Sequence, residues 1–554
     1  MSAPGSVVVI GGGISGLATA ALLARDGWDV DLVEARDAVG GRAGTWERDG
    51  FRFDTGPSWY LMPEVFDHFF RLLGSSAAEQ LDLRPLDPGY RVLFDGHEEP
   101  LDVTASAARN ADLFEQIEPG AGRRLSTYLD EAARTYDLAL EHFLYTSFDS
   151  PRSLLAPAVL LRAPRLLGLL LRSLESHIAR RIDDPRLRQV LGYPAVFLGS
   201  SPDRTPSMYH LMSALDLTGG VRYPMGGFSQ VIERIAALAV REGVRVHTST
   251  RAERILTEPA RPGAGRRRAR ARGVEVVGAD GGRRTIRADR VVASADLHHV
   301  ETTMLPPSLR TYPERWWERR TSGPGAVLAM LGVRGELPQL EHHTLLFTAD
   351  WRENFGALRE GRVPSPASSY VCRPSATDPS VAPSGHENLF VLVPVPSDPA
   401  LGRGGIDGSG DAAVERIADD AIARLAANAG IPDLADRIVV RRTVGPGDFA
   451  EDLGAWRGSM LGPAHTLRQS AFLRAGNVSR HVDGLLYAGS GTIPGIGLPM
   501  CLISAELVVK RLRGDRSSGP LPEPKPSSES ASRADAAAPP ESASPSASGA
   551  GGRR

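Results

Sequence analysis

Cysteine is nearly absent from the chain, which has only Cys372 and Cys501 among its 554 residues. Two cysteines cannot form a disulfide framework or a four-cysteine metal site. The cysteine content therefore indicates a protein of a reducing compartment such as the cytoplasm, and we predict no metal centre.

Long apolar runs are also missing. No uninterrupted apolar stretch reaches the roughly 18 residues of a membrane-spanning helix, so we expect no such helix. The first residues enter an apolar run almost at once, without the basic and apolar regions of a secretory leader. Residues 153–172 come nearest to a membrane segment, because they are rich in leucine and arginine and contain no acid. This composition favours a segment lying in a membrane interface; the alternative is a pair of core helices interrupted by proline.

Neither sign of charge dominates, since 64 basic and 66 acidic residues give a formal net charge of −2. This balance provides no general attraction to nucleic acid. The arginine-rich tract at residues 261–272 lacks the interleaved aromatic side chains of a nucleic-acid site, and we interpret it as a solvated loop. Nucleic acid is therefore not expected as a partner.

The beginning of the chain carries the clearest pattern. An apolar run at residues 7–10 leads into Gly11-Gly12-Gly13-Ile14-Ser15-Gly16, then into a helix-forming segment and a second apolar run that ends at Glu34. The order strand, glycine turn, helix, strand and acid is typical of dinucleotide-binding domains.

Each part of this pattern has a physical role. Gly11 permits the tight turn, Gly13 lets a pyrophosphate approach the backbone, and Gly16 lets the helix pack closely on the sheet. The helix start, where Ser15 lies, offers free N–H groups and a positive dipole end to phosphates. Glu34 is placed to accept hydrogen bonds from ribose hydroxyls, eighteen residues after Gly16.

Two further stretches continue the pattern. After Glu34 come Ala35, a short spacer and Gly40-Gly41-Arg42, and the fork of an arginine suits phosphate oxygens. Near the C-terminus, residues 485–501 predict a strand that ends at Gly489, a glycine-rich turn and a helix from Leu502. This second strand–turn–helix would direct a helix start at an anion or a polarised ring.

Taken in order, these stretches resemble the bacterial-type phytoene desaturases, a carotenoid desaturase family within the FAD-dependent amine oxidase-like superfamily. Asp54-Thr55-Gly56-Pro57-Ser58, Tyr223-Pro224-Met225-Gly226-Gly227 and the turn at residues 491–499 carry the sharper part of the resemblance. It spans nearly everything from Ser6 to Asp515. The chain departs from the family at Ile493, where a histidine is usual, and at Met500, where a glycine is usual.

The resemblance implies FAD as the cofactor and assigns residues to it. Ala252 would touch the adenine through its backbone, and the second turn would lie at the pyrimidine side of the flavin. No acid–base pair is singled out, so no catalytic side chain is assigned. The predicted FAD-binding residues are Gly11, Gly13, Ser15, Gly16, Glu34, Ala35, Gly41, Arg42, Gly56, Pro57, Ser58, Ala252, Gly489, Ser490, Gly497, Leu498 and Pro499.

The implied fold class is α/β: a Rossmann-type FAD-binding domain of the glutathione reductase and amine oxidase type, with an inserted α+β substrate domain. Residues 1–90, 220–299 and 480–514 would form the FAD-binding domain. Residues 91–219 would form a helical, membrane-docking part of the substrate domain, and residues 300–479 its second part. Residues 515–554 are poor in apolar side chains, which predicts a disordered tail.

The implied activity is desaturation of phytoene, to lycopene or to a partly desaturated intermediate, with hydride transfer to the flavin. A hydrophobic carotenoid substrate requires an apolar tunnel and a membrane surface, so we expect a cytoplasmic protein attached peripherally to the inner face of the cell membrane. The sequence shows no second nucleotide motif for NAD, which leaves a quinone or oxygen as the electron acceptor.

Several alternatives remain open from the sequence. The chain could be a carotenoid ketolase, a late-pathway desaturase of modified carotenoids, or a flavin oxidase of amines or porphyrinogens. A different class is a non-enzymatic prenyl-binding escort protein of the same fold, similar to the GDP-dissociation inhibitors. The intact Glu34, Gly41 and Arg42 favour an enzyme over such an escort.

Overall fold

The computed structural model describes residues 5–148, 157–260 and 268–524. Twenty strands and eighteen α-helices lie within these ranges. The strands are β1 (Ser6–Ile10), β2 (Asp29–Val33), β3 (Thr45–Arg48), β4 (Phe51–Asp54), β5 (Leu83–Pro85), β6 (Tyr90–Phe94), β7 (Leu101–Val103), β8 (Arg222–Pro224), β9 (Arg245–His247), β10 (Arg251–Pro259), β11 (Ala269–Val277), β12 (Arg283–Arg287), β13 (Arg290–Ala293), β14 (Gly325–Arg334), β15 (His343–Phe347), β16 (Ser369–Cys372), β17 (His386–Val395), β18 (Ile438–Val444), β19 (Val482–Asp483) and β20 (Leu485–Tyr487).

The helices connect these strands and build most of the region between β7 and β8. They are α1 (Ile14–Arg25), α2 (Pro63–Leu72), α3 (Ala77–Gln80), α4 (Ala107–Ile117), α5 (Ala121–Ala139), α6 (Pro157–Leu160), α7 (Ala163–Leu171), α8 (Leu174–Ala179), α9 (Pro185–Gly192), α10 (Pro194–Phe197), α11 (Met212–Leu217), α12 (Phe228–Arg241), α13 (Leu297–Thr303), α14 (Glu314–Trp317), α15 (Trp351–Arg359), α16 (Ala412–Ala429), α17 (Pro446–Leu453) and α18 (Leu498–Arg513).

One sheet is parallel and has five strands in the order β20-β13-β1-β2-β9. Strand β1 lies in its centre and is buried on both faces, as expected for a parallel sheet covered on both sides. Its Val7 and Val9 belong to the core beneath α1, α12 and α18, while Val8 and Ile10 belong to the core shared with β10 and β11. This parallel sheet with helices on its faces agrees with the predicted α/β fold class.

A second sheet is mixed and has seven strands in the order β18-β14-β17-β16-β15-β6-β7. Apolar side chains of α16 pack with those of β14 and β17 on one face of the sheet. The helical region joins β6, β7 and β15 in a separate core.

The beginning of the predicted tail differs from the expectation of disorder. Leu521 is only 5% exposed and packs against the nucleotide-binding core. The buried ammonium of Lys510 donates hydrogen bonds to the carbonyls of Ser517 and Gly519, both at 2.7 Å. Residues 515–524 are ordered because one apolar anchor and a buried cation hold them. Residues 525–554 lie outside the described residues, as do residues 261–267 of the arginine-rich tract and 153–156 of the leucine–arginine segment.

Candidate active site

The first glycine turn joins β1 to α1 and is shaped by steric limits. Gly11 has a φ of +100°, which favours glycine. A Cβ atom on Gly16 would lie 1.9 Å from the carbonyl oxygen of Gly11, so the helix reaches the turn only without a side chain there. A Cβ atom on Gly13 would have no neighbour closer than 4.0 Å. The space beside Gly13 is thus open to the cavity, as a close pyrophosphate would require.

Glu34 follows β2 and is held by the backbone around it. Its Oε2 accepts a hydrogen bond from the N–H of Gly12 at 2.7 Å, and its Oε1 accepts one from the N–H of Arg36 at 2.9 Å. These two bonds fix a buried carboxylate at the edge of the cavity. The remaining lone pairs of the carboxylate can accept hydroxyl hydrogen bonds.

The loop after β2 returns to the first turn. The N–H of Gly40 donates to the carbonyl of Gly12 at 2.8 Å, and Gly40 and Gly41 have positive φ values of +125° and +57°. A Cβ atom on Gly56 would lie 2.0 Å from the carbonyl oxygen of Arg42. Gly56 is therefore needed for the packing of this loop against the Arg42 backbone, in addition to lining the cavity.

The Asp-Thr-Gly-Pro-Ser and Tyr-Pro-Met-Gly-Gly stretches meet at the start of α12. The Asp54 carboxylate accepts hydrogen bonds from the N–H groups of Phe228 and Ser229 at 2.8 and 3.2 Å. Burial raises the pKa of Asp54 to about 6, while these two backbone bonds lower it. A Cβ atom on Gly227 would lie 2.7 Å from the Asp54 carboxylate, so the glycine makes room for the acid. The two motifs thus form one structural unit.

The second glycine turn lies beside the first. Gly489 follows β20 with a φ of +108°, and a Cβ atom on it would lie 3.8 Å from Ser15. The helix after this turn begins at Leu498, four residues earlier than the predicted Leu502. Gly497 precedes this first helical turn, which contains Pro499. Two helix starts, those of α1 and α18, consequently border one cavity.

Arg474 supports the second turn and is a residue that the sequence analysis missed. Its guanidinium is buried and donates hydrogen bonds to the carbonyls of Thr492 at 3.0 Å, Pro463 at 3.1 Å and Ser490. Burial lowers its pKa to about 10. A lone arginine in a loop gives no sequence signal of this role, because all its partners are backbone carbonyls.

One cavity of about 680 Å³ connects these elements. All the predicted FAD-binding residues line it except Gly16, which packs against Gly11 instead. The Ser15 Oγ, Arg42 Nε and Ser294 Oγ atoms are buried without a hydrogen-bond partner among the described residues. Buried polar atoms are normally paired, so these three atoms fit a polar ligand in the nucleotide part of the cavity.

Another part of the cavity is apolar. We call its lining residues within 193–215, 345–392 and 460–465 the apolar half, and none of them is Asp, Glu, Lys or Arg. His465 lies in it: its Nδ1 pairs with the Tyr209 hydroxyl at 3.0 Å, and its Nε2 accepts from the N–H of Ile496 at 3.3 Å. The side chains that dominate this half are Tyr193, Val196, Phe197, Leu198, Tyr209, Leu211, Met212, Leu215, Leu345, Phe347, Trp351, Phe355, Leu358, Tyr370, Phe390, Leu392, Met460 and Leu461.

Comparison with known proteins agrees with this geometry. A family model described as flavin containing amine oxidoreductase matches residues 14–513. The chain is 42% identical to a carotenoid 3,4-desaturase of Haloarcula japonica, over 92% of this chain and 98% of that protein. The chain belongs to the flavin-containing amine oxidoreductases and, within them, to the carotenoid desaturases. The predicted family and the predicted oxidoreductase class are confirmed.

Two further similarities support the carotenoid desaturase assignment and its fold. The chain is 34% identical to a zeta-carotene-forming phytoene desaturase of Myxococcus xanthus, over 91% of this chain and 93% of that protein. The solved structure of a cyclohexylamine oxidase from Brevibacterium oxydans has a TM-score of 0.56 at 16% identity, covering 92% of this chain and 99% of that one. The amine oxidase-like fold and the FAD cofactor predicted from the sequence are confirmed.

Proposed function

We propose that this carotenoid desaturase introduces double bonds into a linear carotenoid chain that enters the apolar half of the cavity. The proposal is carried by the continuity of one cavity from a polar cradle to an apolar half that has no Asp, Glu, Lys or Arg side chain. A hydrocarbon offers no group for polar recognition, so shape and apolar contact must position it. When bound, the flavin accepts the hydride that the substrate loses.

We further propose that the predicted residues hold the cofactor as follows. Glu34 would bind the adenosine ribose, and Arg42 and the start of α1 the pyrophosphate. The start of α18, with Gly497 and Leu498, would face the pyrimidine edge of the ring system. Its free N–H groups would favour the negative charge that the ring gains on reduction.

Phytoene is the proposed substrate, and an already conjugated carotenoid is the second candidate. The second candidate is favoured by one observation: the identity to the carotenoid 3,4-desaturase, 42%, exceeds that to the phytoene desaturase, 34%. Both reactions remove hydrogen from two neighbouring carbons beside a polyene. They differ in how much conjugation the substrate already has.

Expression in two bacterial hosts separates these candidates. One host accumulates phytoene and the other lycopene, and their pigments are separated by chromatography and identified by absorption. A coloured product in the first host supports phytoene desaturation, and a longer chromophore only in the second supports late-pathway desaturation. No new pigment in either host contradicts the proposal, provided that the purified protein carries FAD; the Arg42→Ala variant serves as the inactive control.

A membrane surface is the proposed place of action. Several leucines of the leucine–arginine segment point to solvent, with Leu161 83% and Leu171 68% exposed. Phe472 is also exposed and contacts Phe148, the last described residue before this segment. Exposed leucines beside arginines suit an interface in which the cations lie near lipid phosphates. Within the described residues, no helix is long and apolar enough to cross a membrane.

A quinone or oxygen is the proposed electron acceptor. A reduced holoenzyme mixed anaerobically with a soluble quinone should regain the absorption of oxidised flavin. Reoxidation by air but not by the quinone would support oxygen, and reoxidation by neither would contradict the proposal.

A further inference from the structure

A buried carboxylate lies behind the apolar half of the cavity. Asp216 in α11 is 3% exposed. Its Oδ2 accepts hydrogen bonds from the hydroxyls of Tyr193 at 2.9 Å and Tyr90 at 3.2 Å, and its Oδ1 has no partner among the described residues. An acid with a buried, unpaired oxygen is costly for the fold, which suggests a use beyond packing.

Tyr193 connects this acid to the cavity, and Tyr90 does not. Tyr193 lines the cavity, whereas Tyr90 lies behind it in β6. The rings of both tyrosines lie near Trp59, with centroids 5.9 Å away for Tyr193 and 5.3 Å away for Tyr90, so the two differ only in that Tyr193 lines the cavity.

We propose that Tyr193 takes the proton that the substrate loses and that Asp216 stores it. This inference rests on the proposed desaturation. A C–H bond on the carbon beside the hydride-donating carbon breaks, and its electron pair becomes the new π bond. The proton bonds to the Tyr193 oxygen while the hydroxyl proton of Tyr193 moves to Asp216 Oδ2. The other hydrogen and two electrons are those of the hydride that the bound flavin accepts.

Other polar groups of the apolar half are less suited to this role. Both ring nitrogens of His465 are engaged, with the hydroxyl of Tyr209 and the N–H of Ile496, and burial holds its pKa well below the usual range. The Tyr370 hydroxyl pairs with Ser58 and with His343. Tyr193 is the phenol of the described apolar half that donates to a buried carboxylate.

The surroundings of Asp216 keep it able to accept a proton near neutral pH. Burial raises its pKa to about 7, while the hydrogen bonds from Tyr193 and Tyr90 lower it. The titratable groups that face it are the phenols of Tyr193, Tyr90 and Tyr128, whose own pKa values are raised chiefly by burial. A base with a pKa near the working pH is well matched to accepting a proton.

The test compares Asp216→Asn, Tyr193→Phe and Tyr90→Phe in the FAD-loaded full chain, with carotenoid supplied in vesicles. The wild-type rate should rise with pH through a midpoint near 7. The rate of Asp216→Asn should be lower on the order of 100-fold or more and should not rise with pH through this midpoint. The rate of Tyr193→Phe should also fall. Tyr90→Phe should remain active with its midpoint shifted upward, because one donor to the carboxylate is lost.

Two results would overturn the inference. One is an unchanged rate and pH profile in folded, FAD-loaded Tyr193→Phe. The other is equal losses in Tyr193→Phe and Tyr90→Phe with no shift of midpoint, which indicates packing alone. An infrared carboxyl band that titrates near pH 7 and disappears in Asp216→Asn tests the acid without substrate. If that band is present but the wild type converts no carotenoid, the proposed function has failed; if the band is absent, the inference fails even when carotenoid is converted.

Discussion

Replacement of Glu34 should weaken FAD binding by a predictable amount. The carboxylate is already fixed by the N–H groups of Gly12 and Arg36, so its free lone pairs are oriented before the cofactor arrives. A hydrogen bond to a charged group contributes about 1.5–3 kcal/mol. Since 1.4 kcal/mol corresponds to a factor of ten, Glu34→Ala should raise the dissociation constant for FAD roughly 10- to 100-fold. Glu34→Gln should lose less FAD affinity, because its amide oxygen still accepts a hydrogen bond from the ribose.

Titration of the apoprotein with FAD, followed by flavin fluorescence, measures this loss directly. Thermal unfolding provides a second reading. At an FAD concentration 100 times the wild-type dissociation constant, binding stabilises the wild type by about 2.7 kcal/mol, but a variant bound 100-fold more weakly by only about 0.4 kcal/mol. Asp37→Ala is the matched control, since Asp37 is an exposed acid three residues away. A folded Glu34→Ala protein with a dissociation constant within about twofold of wild type would refute the ribose role.

Three other perturbations test the architecture. Gly16→Ala should yield little folded, FAD-binding protein, because the new Cβ would lie 1.9 Å from a backbone oxygen; normal yield and FAD content would contradict this. Truncation after residue 524 should leave the melting temperature unchanged, whereas truncation after residue 514 should lower it, because burial of Leu521 contributes about 1.5–3 kcal/mol; equal melting temperatures would contradict the anchoring role. The double variant Leu167→Ser, Leu171→Ser should bind lipid vesicles at least about tenfold more weakly in a flotation assay, because two apolar side chains no longer enter the interface. The control Val240→Ser, at another exposed apolar position, should bind vesicles as the wild type does. Equal vesicle binding by all three proteins would contradict the docking surface.

The glycine turn between β1 and α1 was predictable because its steric constraints are local. Gly11 and Gly16 lie within six residues of each other, and the clash that excludes a side chain at Gly16 involves the turn immediately before it. The start of α18 was placed four residues too late because Pro499 resembles a helix breaker in sequence. In the structure it occupies the first helical turn, where its missing N–H costs nothing and its φ suits the helix.

The buried polar groups behind the apolar half were not predictable from the same sequence. Tyr90, Tyr193 and Asp216 come from β6, the start of α10 and α11, and only the fold brings them together. An isolated aspartate in a predicted helix carries no mark of burial. The role of Arg474 was hidden for a related reason, since its acceptors are carbonyls that any sequence supplies.

The nucleotide part of the cavity and the apolar half also favour charges of opposite sign. This difference bears on where the hydride and the proton of a desaturation can go. The nucleotide part of the cavity is bordered by the starts of α1 and α18 and by the side chain of Arg42, all of which favour negative charge. Behind the apolar half lies a carboxylate, Asp216, reached through a single phenol. A desaturation removes a hydride from one carbon and a proton from its neighbour, and these two need acceptors of opposite character. The helix starts border one part of the cavity and the buried acid lies behind the other, so the hydride and the proton have separate acceptors. No residue of the apolar half is Asp, Glu, Lys or Arg.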